Sequence, residues 1–202
     1  MKLYYSKGAC SLAVHITLRE LNLPCEYIPV TLSTHTLPNG DDFYKVTPKG
    51  AVPALQLDNG TVLTENAVIQ QFIADSHKAT HLLPPVGDMK RYEILAWLNY
   101  ASTDLHKNFS PFFNPKVPKE IREEAFKPVL AKKLEFLNTY FATHDYITGK
   151  QYTLPDAYVF TTLRWVGHAG LSLNDYPHVL RYFNQMKARP SVVAAMQEEG
   201  LS

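Results

Sequence analysis

The chain has 202 residues, enough for one or two modest domains with a real core, and 46% hydrophobic against 19% charged side chains is ordinary for a globular protein. With 20 Lys and Arg against 19 Asp and Glu the formal charge is +1, which gives no support to a nucleic-acid or acidic-lipid partner. No apolar stretch near Met1 is long enough for a signal-peptide core, the longest uncharged run, Tyr27 to Gly40, is broken by Pro29 and Pro38, and the cysteines Cys10 and Cys25 lie in no CxxC or His/Cys cluster. A soluble protein of a reducing cytoplasm is expected, with no structural metal and no membrane span.

In chain order, Lys2 to Tyr5 reads as a short strand, Gly8 as a loop, and Ser11 to Leu21 as a helix ended by Leu23-Pro24, because proline disfavours helix in the residue before it. A second strand follows at Tyr27 to Val30. Gly50-Ala51-Val52-Pro53 leads into a strand over Ala54 to Leu57, and Asp58-Asn59-Gly60 predicts a hairpin returning through Val62-Leu63, since both positions of an Asn-Gly turn tolerate positive φ. Ile69, Phe72 and Ile73 then recur at helical spacing from Asn66 to about His77.

Leu82-Leu83-Pro84-Pro85-Val86-Gly87 sustains neither helix nor ladder and reads as a linker. Beyond it the pattern is helical: a long segment through Leu95, Leu98 and Leu105, another through Phe126, Leu130, Leu134, Leu137 and Phe141, and a third through Val179, Phe183 and Met186. Thr153-Leu154-Pro155-Asp156 has the spacing of a capping box, and the apolar run Ala157 to Trp165 behind it predicts a helix buried all round. The fold class is therefore α/β followed by all-α, with a βαβ-ββα domain over 1–80, a linker over 81–87 and a helical domain over 88–202.

Cys10, in Gly8-Ala9-Cys10-Ser11, stands between a strand end and a helix N-terminus, where unpaired amides and the helix dipole favour a thiolate. An inert, buried thiol is the competing reading, and it is the one that suits Cys25. Position 13 is Ala13, so a local dithiol cycle lacks its second sulfur and an external thiol must resolve any disulfide. Lowering a thiol from pKa about 8.5 to about 6.5 raises its thiolate fraction roughly 25-fold at neutral pH, but lost nucleophilicity takes back most of that gain. A shaped pocket that aligns the sulfurs must supply the rest.

Val52-Pro53 before a strand suits a cis peptide that turns the Val52 backbone outward for an extended peptide, or simply a proline opening an edge strand. Thr64-Glu65-Asn66 at a helix start suits an amino-acid end, or ordinary capping. His106 is able to exchange a proton with a bound sulfur, but 7 other histidines dilute that signal. Tyr5 and Ser11 are rival hydroxyls for the same task. Phe109, Pro111, Phe112 and Phe113, with Trp165, either line an apolar second pocket or fill a core.

These features, in this order, resemble the glutathione transferase family along the whole chain. Gly8-Ala9-Cys10-Ser11-Leu12, Asn99-Tyr100 and Leu105-His106-Lys107 resemble its bacterial beta class, in which cysteine replaces the tyrosine or serine of other classes. The resemblance implies a thioredoxin-like first domain in which Ala9, Cys10, His35, Val52, Pro53, Glu65 and Asn66 hold glutathione. It implies that Asn99, Thr103, Asp104, Leu105 and His106 complete the site, some across the interface of a homodimer. His35, where lysine is frequent in relatives, and Asn66, where serine or glycine is usual, depart from the pattern and bear on affinity.

The implied activity is conjugation of glutathione, the co-substrate, to small hydrophobic electrophiles, or glutathione-dependent disulfide and peroxide reduction with a mixed disulfide on Cys10. A ligand carrier or interaction scaffold of the same fold is the non-enzymatic alternative. Ala13 weakens a third, a plain dithiol oxidoreductase.

Overall fold

Leu3 and Tyr4 are neighbours in sequence and face opposite sides of one sheet, as strand geometry requires, and the first unit of the protein is organised around that alternation. The computed structural model describes residues 1–201. It comprises two compact units, residues 1–80 with 190–201, and residues 81–189.

In the first unit, β1 (Lys2–Tyr5), β2 (Glu26–Pro29), β3 (Ala54–Gln56) and β4 (Val62–Thr64) form a sheet in the order β2-β1-β3-β4, with β1 parallel to β2 and the other pairs antiparallel. On one face α1 (Ser11–Glu20) and α2 (Asn66–Ser76) bury Val14, Leu18, Ile69 and Ile73 against Leu3 and Leu55. On the other, Tyr4, Val30, Phe43 and Ala54 pack with the partly buried Leu37, Val46 and Val52. The βαβ-ββα order expected from the sequence is present.

The hairpin differs in detail from its expectation. Gly60 donates to the Leu57 carbonyl at 2.9 Å and Leu57 to that of Thr61 at 2.8 Å, and of Asn59 and Gly60 only the glycine takes positive φ, at 85°. Asp58 and Asn59 thus form the turn, and Gly60 takes the left-handed position after it, as in a three-residue loop.

In the second unit, α3 (Met89–Tyr100) continues through a π-helical segment (Ala101–His106) into α4 (Lys107–Phe113). There follow the short α5 (Lys119–Ile121), a second π-helical segment (Arg122–Phe126), α6 (Lys127–Phe141), α7 (Leu154–Leu163) and α8 (Pro177–Lys187). Every residue of α7 is buried, as its all-round apolar pattern predicts. The start of α7 is held as expected: Asp156 Oδ2 accepts the Thr153 N–H at 2.8 Å, and Oδ1 accepts the Ile147 N–H at 2.8 Å. The face of α6 that the sequence marks out, Leu130, Leu134, Leu137 and Phe141, is buried, with Phe141 stacked on Tyr182. Arg91 on α3 donates to the Pro84 carbonyl at 3.0 Å, tying down the irregular stretch read as a linker.

The structure differs from the sequence division at the C-terminus, where α9 (Pro190–Glu198) belongs to the first unit rather than to the helical one. Val192, Ala195 and Met196 are buried on α9, Ser191 donates to Glu20 at 2.6 Å, and Glu198 pairs with Arg19 at 2.8 Å. These contacts bring the last helix back onto α1. Among the described residues no helix is long and apolar enough to cross a membrane.

Candidate functional site

Cys10 occupies the N-cap of α1, with helical dihedrals of φ −60° and ψ −22°, at the end of a loop that leaves the sheet after Tyr5. The loop is braced from within: the Ser6 N–H donates to Ser11 Oγ at 3.1 Å, Ser11 Oγ returns a bond to the Ser6 carbonyl at 3.3 Å, and the Ala9 N–H reaches the same carbonyl at 3.0 Å. It is also braced from the far end of the chain, where Glu199 Oε2 accepts the Gly8 N–H at 2.9 Å. The half-buried thiol donates to the Val52 carbonyl at 3.3 Å.

Val52-Pro53 is a cis peptide immediately before β3. Among the described residues the Val52 N–H enters no backbone hydrogen bond, so this edge lies open beside the Cys10 sulfur. Glu65 is the N-cap of α2 with φ 73°, and its exposed carboxylate pairs with Lys49 at 2.6 Å. His35 also has positive φ, at 52°; its ring lies on Tyr44 with 4.6 Å between centroids, and its carbonyl accepts the Phe43 N–H at 2.8 Å. A Cβ on Gly50 would sit 2.4 Å from the Tyr44 ring and 3.1 Å from His35 Nδ1, so glycine there permits this packing.

Asn66 departs from the role expected of it. Its side chain is buried, with Nδ2 donating to the Cys10 carbonyl at 2.6 Å and Oδ1 accepting from Gln70 Nε2 at 2.6 Å. Both ends of the amide are engaged within the protein, which leaves the main-chain N–H at the start of α2 as the Asn66 donor that the helix itself does not use.

The rival hydroxyls are separated by their surroundings. Ser11 is fully buried and commits its hydroxyl to the Ser6 backbone. Burial, aided by Glu199 and Glu198, holds the Tyr5 phenol above its ordinary pKa, which opposes a phenolate there. Burial likewise pushes the Cys25 thiol up to about 11, as suits an inert sulfur packed on the core.

In the second unit, Thr103, Asp104, Leu105 and His106 all lie on the π-helical segment, a local widening of the helix that is frequent at functional sites. Thr103 bonds the Asn99 carbonyl at 3.0 Å, and Asp104 is held below its usual pKa first by the hydrogen bond from Lys133 and then by that from Thr103. The Leu105 side chain is 1% exposed and belongs to the core.

His106 Nδ1 lies 2.8 Å from the Tyr158 hydroxyl, and its ring packs on Trp165 with centroids 5.0 Å apart. Burial, with Lys107 adding to it, lowers its pKa to about 4. The imidazole is therefore neutral at physiological pH, which removes the imidazolium form as a stabiliser of a thiolate and leaves proton exchange or hydrogen bonding.

The aromatics expected to line a second pocket divide in two. Phe109 is 1% exposed and packs edge-on against Trp165, itself largely buried, so both act as core. Phe113 is 47% exposed, edge-to-face with Trp165 at 5.4 Å and with His168 at 5.1 Å, and Phe112 is half-buried.

Four groups around the Cys10 loop have no local signature in the sequence: Glu199, His15, Gln70 and Thr17. His15 is fully buried, with Nδ1 3.1 Å from Glu199 and Nε2 2.7 Å from Glu198, and stacks on Tyr27 with 3.9 Å between centroids. A groove of about 610 Å³ beside β2, lined in part by Tyr4, Ile28, Leu37 and Val46, includes none of the residues expected to bind a ligand.

Residues 8–76 match the glutathione S-transferase N-terminal domain family and residues 100–190 the corresponding C-terminal domain family. The glutathione S-transferase GstA of Escherichia coli O157:H7 is 45% identical, with 100% of both chains covered. Among solved structures, a sphingomonad glutathione S-transferase complexed with glutathione matches with a TM-score of 0.94 at 38% identity, again over 100% of both chains. The bacterial beta class glutathione S-transferase of Sphingomonas chungbukensis matches with a TM-score of 0.95, at the same identity and coverage.

Proposed function

Because the chain belongs to the glutathione S-transferase family, with relatives of the bacterial beta class, and is a glutathione transferase that uses glutathione as co-substrate, we propose that its chemistry centres on Cys10. The observation that carries this reading is the thiol at the N-terminus of α1, 3.3 Å from the carbonyl of Val52, whose backbone edge is open. An extended peptide paired on Val52 delivers its own cysteinyl sulfur beside Sγ. Glu65, the Asn66 main-chain N–H, Ala9, Pro53 and His35 supply the remaining contacts of the first unit, with Glu65 and the start of α2 suited to the γ-glutamyl end. Asn99, Thr103, Asp104 and His106 are the contacts proposed from the second unit, with Leu105 packing the core behind them, and Phe112 and Phe113 those for a hydrophobic electrophile.

In disulfide reduction, the Cys10 thiolate attacks one sulfur of the substrate disulfide, forming a mixed disulfide and expelling the other sulfur as a thiolate that takes up a proton. Glutathione thiolate then attacks that mixed disulfide, and Cys10 leaves as the thiolate. In conjugation, the glutathione thiol loses its proton and the sulfur forms a bond to the electrophile, displacing a leaving group or adding across an activated double bond. A cytoplasmic homodimer acting in detoxification is the setting that fits this chemistry.

The test is isolation without reductant, followed by intact-mass measurement and titration calorimetry with glutathione. Glutathione bound as a mixed disulfide on Cys10, absent in Cys10→Ala, and a heat of association with the tripeptide are expected. A mass that is always that of the free thiol, together with full activity in Cys10→Ala, would remove the covalent role, and no heat on titration would remove the binding reading.

A further inference from the structure

Three buried side chains form a line that ends on the Cys10 backbone. Thr17 Oγ1 shares its proton between the Ala13 carbonyl at 2.9 Å and Gln70 Oε1 at 3.1 Å; Gln70 Nε2 donates to Asn66 Oδ1 at 2.6 Å; Asn66 Nδ2 donates to the Cys10 carbonyl at 2.6 Å. Thr17 and Gln70 are 0% exposed and Asn66 is 5% exposed. The direction of the chain is forced, because a backbone carbonyl only accepts and each amide, having presented its NH2 group on one side, has only its oxygen for the other. Asn66 has no rotamer choice left, and its donor is aimed at the residue that carries the reactive sulfur.

We infer that Asn66, held by Gln70 and Thr17, is a positioning residue for Cys10: it fixes the Cys10 peptide at the start of α1 and draws off part of the negative end of that carbonyl dipole beside the sulfur. The Cys10 carbonyl already takes the Ala13 N–H at 3.1 Å, so Asn66 adds a second donor from a different helix to the same oxygen. Helix α1 supplies the donor of its own first turn, while Asn66 ties that turn to the start of α2. A carbonyl relieved of negative charge next to a thiol favours the thiolate, and a fixed N-cap keeps Sγ aligned on the Val52 edge. The chain is thus a device that acts through Cys10 and touches no substrate with its side chains.

This inference rests on the reading of Cys10 as the reacting thiol, and its test separates the two. Wild type, Asn66→Ala, Asn66→Asp, Gln70→Leu and Thr17→Val are labelled with iodoacetamide under native conditions, and alkylation is resolved at Cys10 and Cys25 by mass spectrometry. Cys25, inert and packed in the core of the same unit, reports any general opening. Asn66→Ala is expected to slow Cys10 labelling roughly fivefold with Cys25 unchanged, and to lower kcat about as much while the KM for glutathione moves less than about twofold. Asn66→Asp, which sets a carboxylate oxygen against the carbonyl, should slow Cys10 labelling more than about tenfold.

Gln70→Leu should give a smaller loss, roughly twofold to threefold, that vanishes in the Asn66→Ala background because both act through one bond. Unchanged Cys10 labelling and kcat in Asn66→Ala would overturn the inference, and so would a parallel rise at Cys25. If Asn66→Ala does not fold, Gln70→Leu and Thr17→Val read the same chain from its far end, and wild-type labelling in both overturns it. A wild-type protein that binds no glutathione would instead overturn the proposed function, leaving the labelling comparison intact, since that comparison uses no glutathione.

Discussion

Glu199 accepts the Gly8 N–H at 2.9 Å across 191 positions of sequence, so the far end of the chain braces the loop that presents Cys10. The other oxygen of this buried carboxylate lies 3.1 Å from Nδ1 of His15. Glu199→Ala would take this partner from the half-buried Gly8 N–H and from the fully buried His15 ring, and removing one side of a hydrogen bond so that a buried polar group is left unsatisfied costs about 1–3 kcal/mol for each group. Glu199→Gln keeps an oxygen for Gly8 and should cost about 1–2 kcal/mol. Urea denaturation followed by tryptophan fluorescence is expected to rank the variants in that order; equal midpoints for Glu199→Ala and wild type would show that the brace contributes nothing.

His106 predicts a pH profile. Its pKa is lowered to about 4 by burial, so between about pH 5.5 and 8 it stays neutral and contributes no limb to kcat/KM. His106→Gln should lower the rate by a similar factor at every pH in that range and leave the shape of the profile unchanged. The stability sign follows from the same shift: the folded state binds the proton less readily than the unfolded chain, so the stability present above the unfolded value near 6.5 is lost as pH falls toward 4. Denaturation of wild type and His106→Gln from pH 7 to 4 should show wild type losing stability relative to the variant on acidification, and parallel curves would contradict the assignment.

The elements that could be read from the sequence are those whose signals are local. Ser11 to Glu20, Asn66 to Ser76 and the capped α7 each carry their period and their ends within a dozen residues, and Cys10 and Val52-Pro53 announce themselves through strand-to-helix punctuation. The π-helical segment over Ala101–His106 has no such mark, because a widened turn depends on what packs around the helix rather than on its own apolar spacing. The same holds for α9, for Glu199 on Gly8, and for Asn66, whose amide was expected to face a ligand and is instead turned onto the Cys10 carbonyl by Gln70. Those positions are set by partners distant in sequence. His106 was visible as a candidate, but its neutrality comes from burial, which spacing alone does not report.

Phe113 and Phe109 make a paired prediction. Phe113 presents an exposed edge beside Trp165, whereas Phe109 is buried under the same indole. Phe113→Ala should change the ratio of kcat/KM between bulky aromatic and small electrophiles several-fold, with the KM for glutathione shifting less than about twofold and stability falling less than about 1 kcal/mol. Phe109→Ala should cost about 3–5 kcal/mol through its cavity. Steady-state kinetics over a series of electrophiles, run alongside denaturation, checks both, and an unchanged preference in Phe113→Ala would remove it from the second site.

Asp156 is fully buried, and burial raises its pKa to about 6 against the hydrogen bonds from Ile147, Thr153 and Tyr182 that favour the ionised form. A raised folded value means that the stabilisation is complete below the unfolded value near 3.8 and is lost as pH rises through 6. At neutral pH the charge is therefore held at a cost, and what justifies it is the set of donors it satisfies: the Ile147 N–H at 2.8 Å, the Thr153 N–H at 2.8 Å and the Tyr182 hydroxyl at 3.1 Å. Asp156→Asn keeps one oxygen for Ile147 and Tyr182 but turns an NH2 group toward the Thr153 N–H, so it should lose about 1 kcal/mol at pH 7, while Asp156→Ala, which orphans all of these donors, should lose about 3 kcal/mol or more. Because wild type alone gains by taking up the proton, the gap between wild type and Asp156→Asn should widen by up to about 1.4 kcal/mol per pH unit between pH 6 and 4. Urea melts of the two proteins across that range measure the gap directly, and a gap that narrows on acidification would mean that the hydrogen bonds, and not burial, dominate this carboxylate.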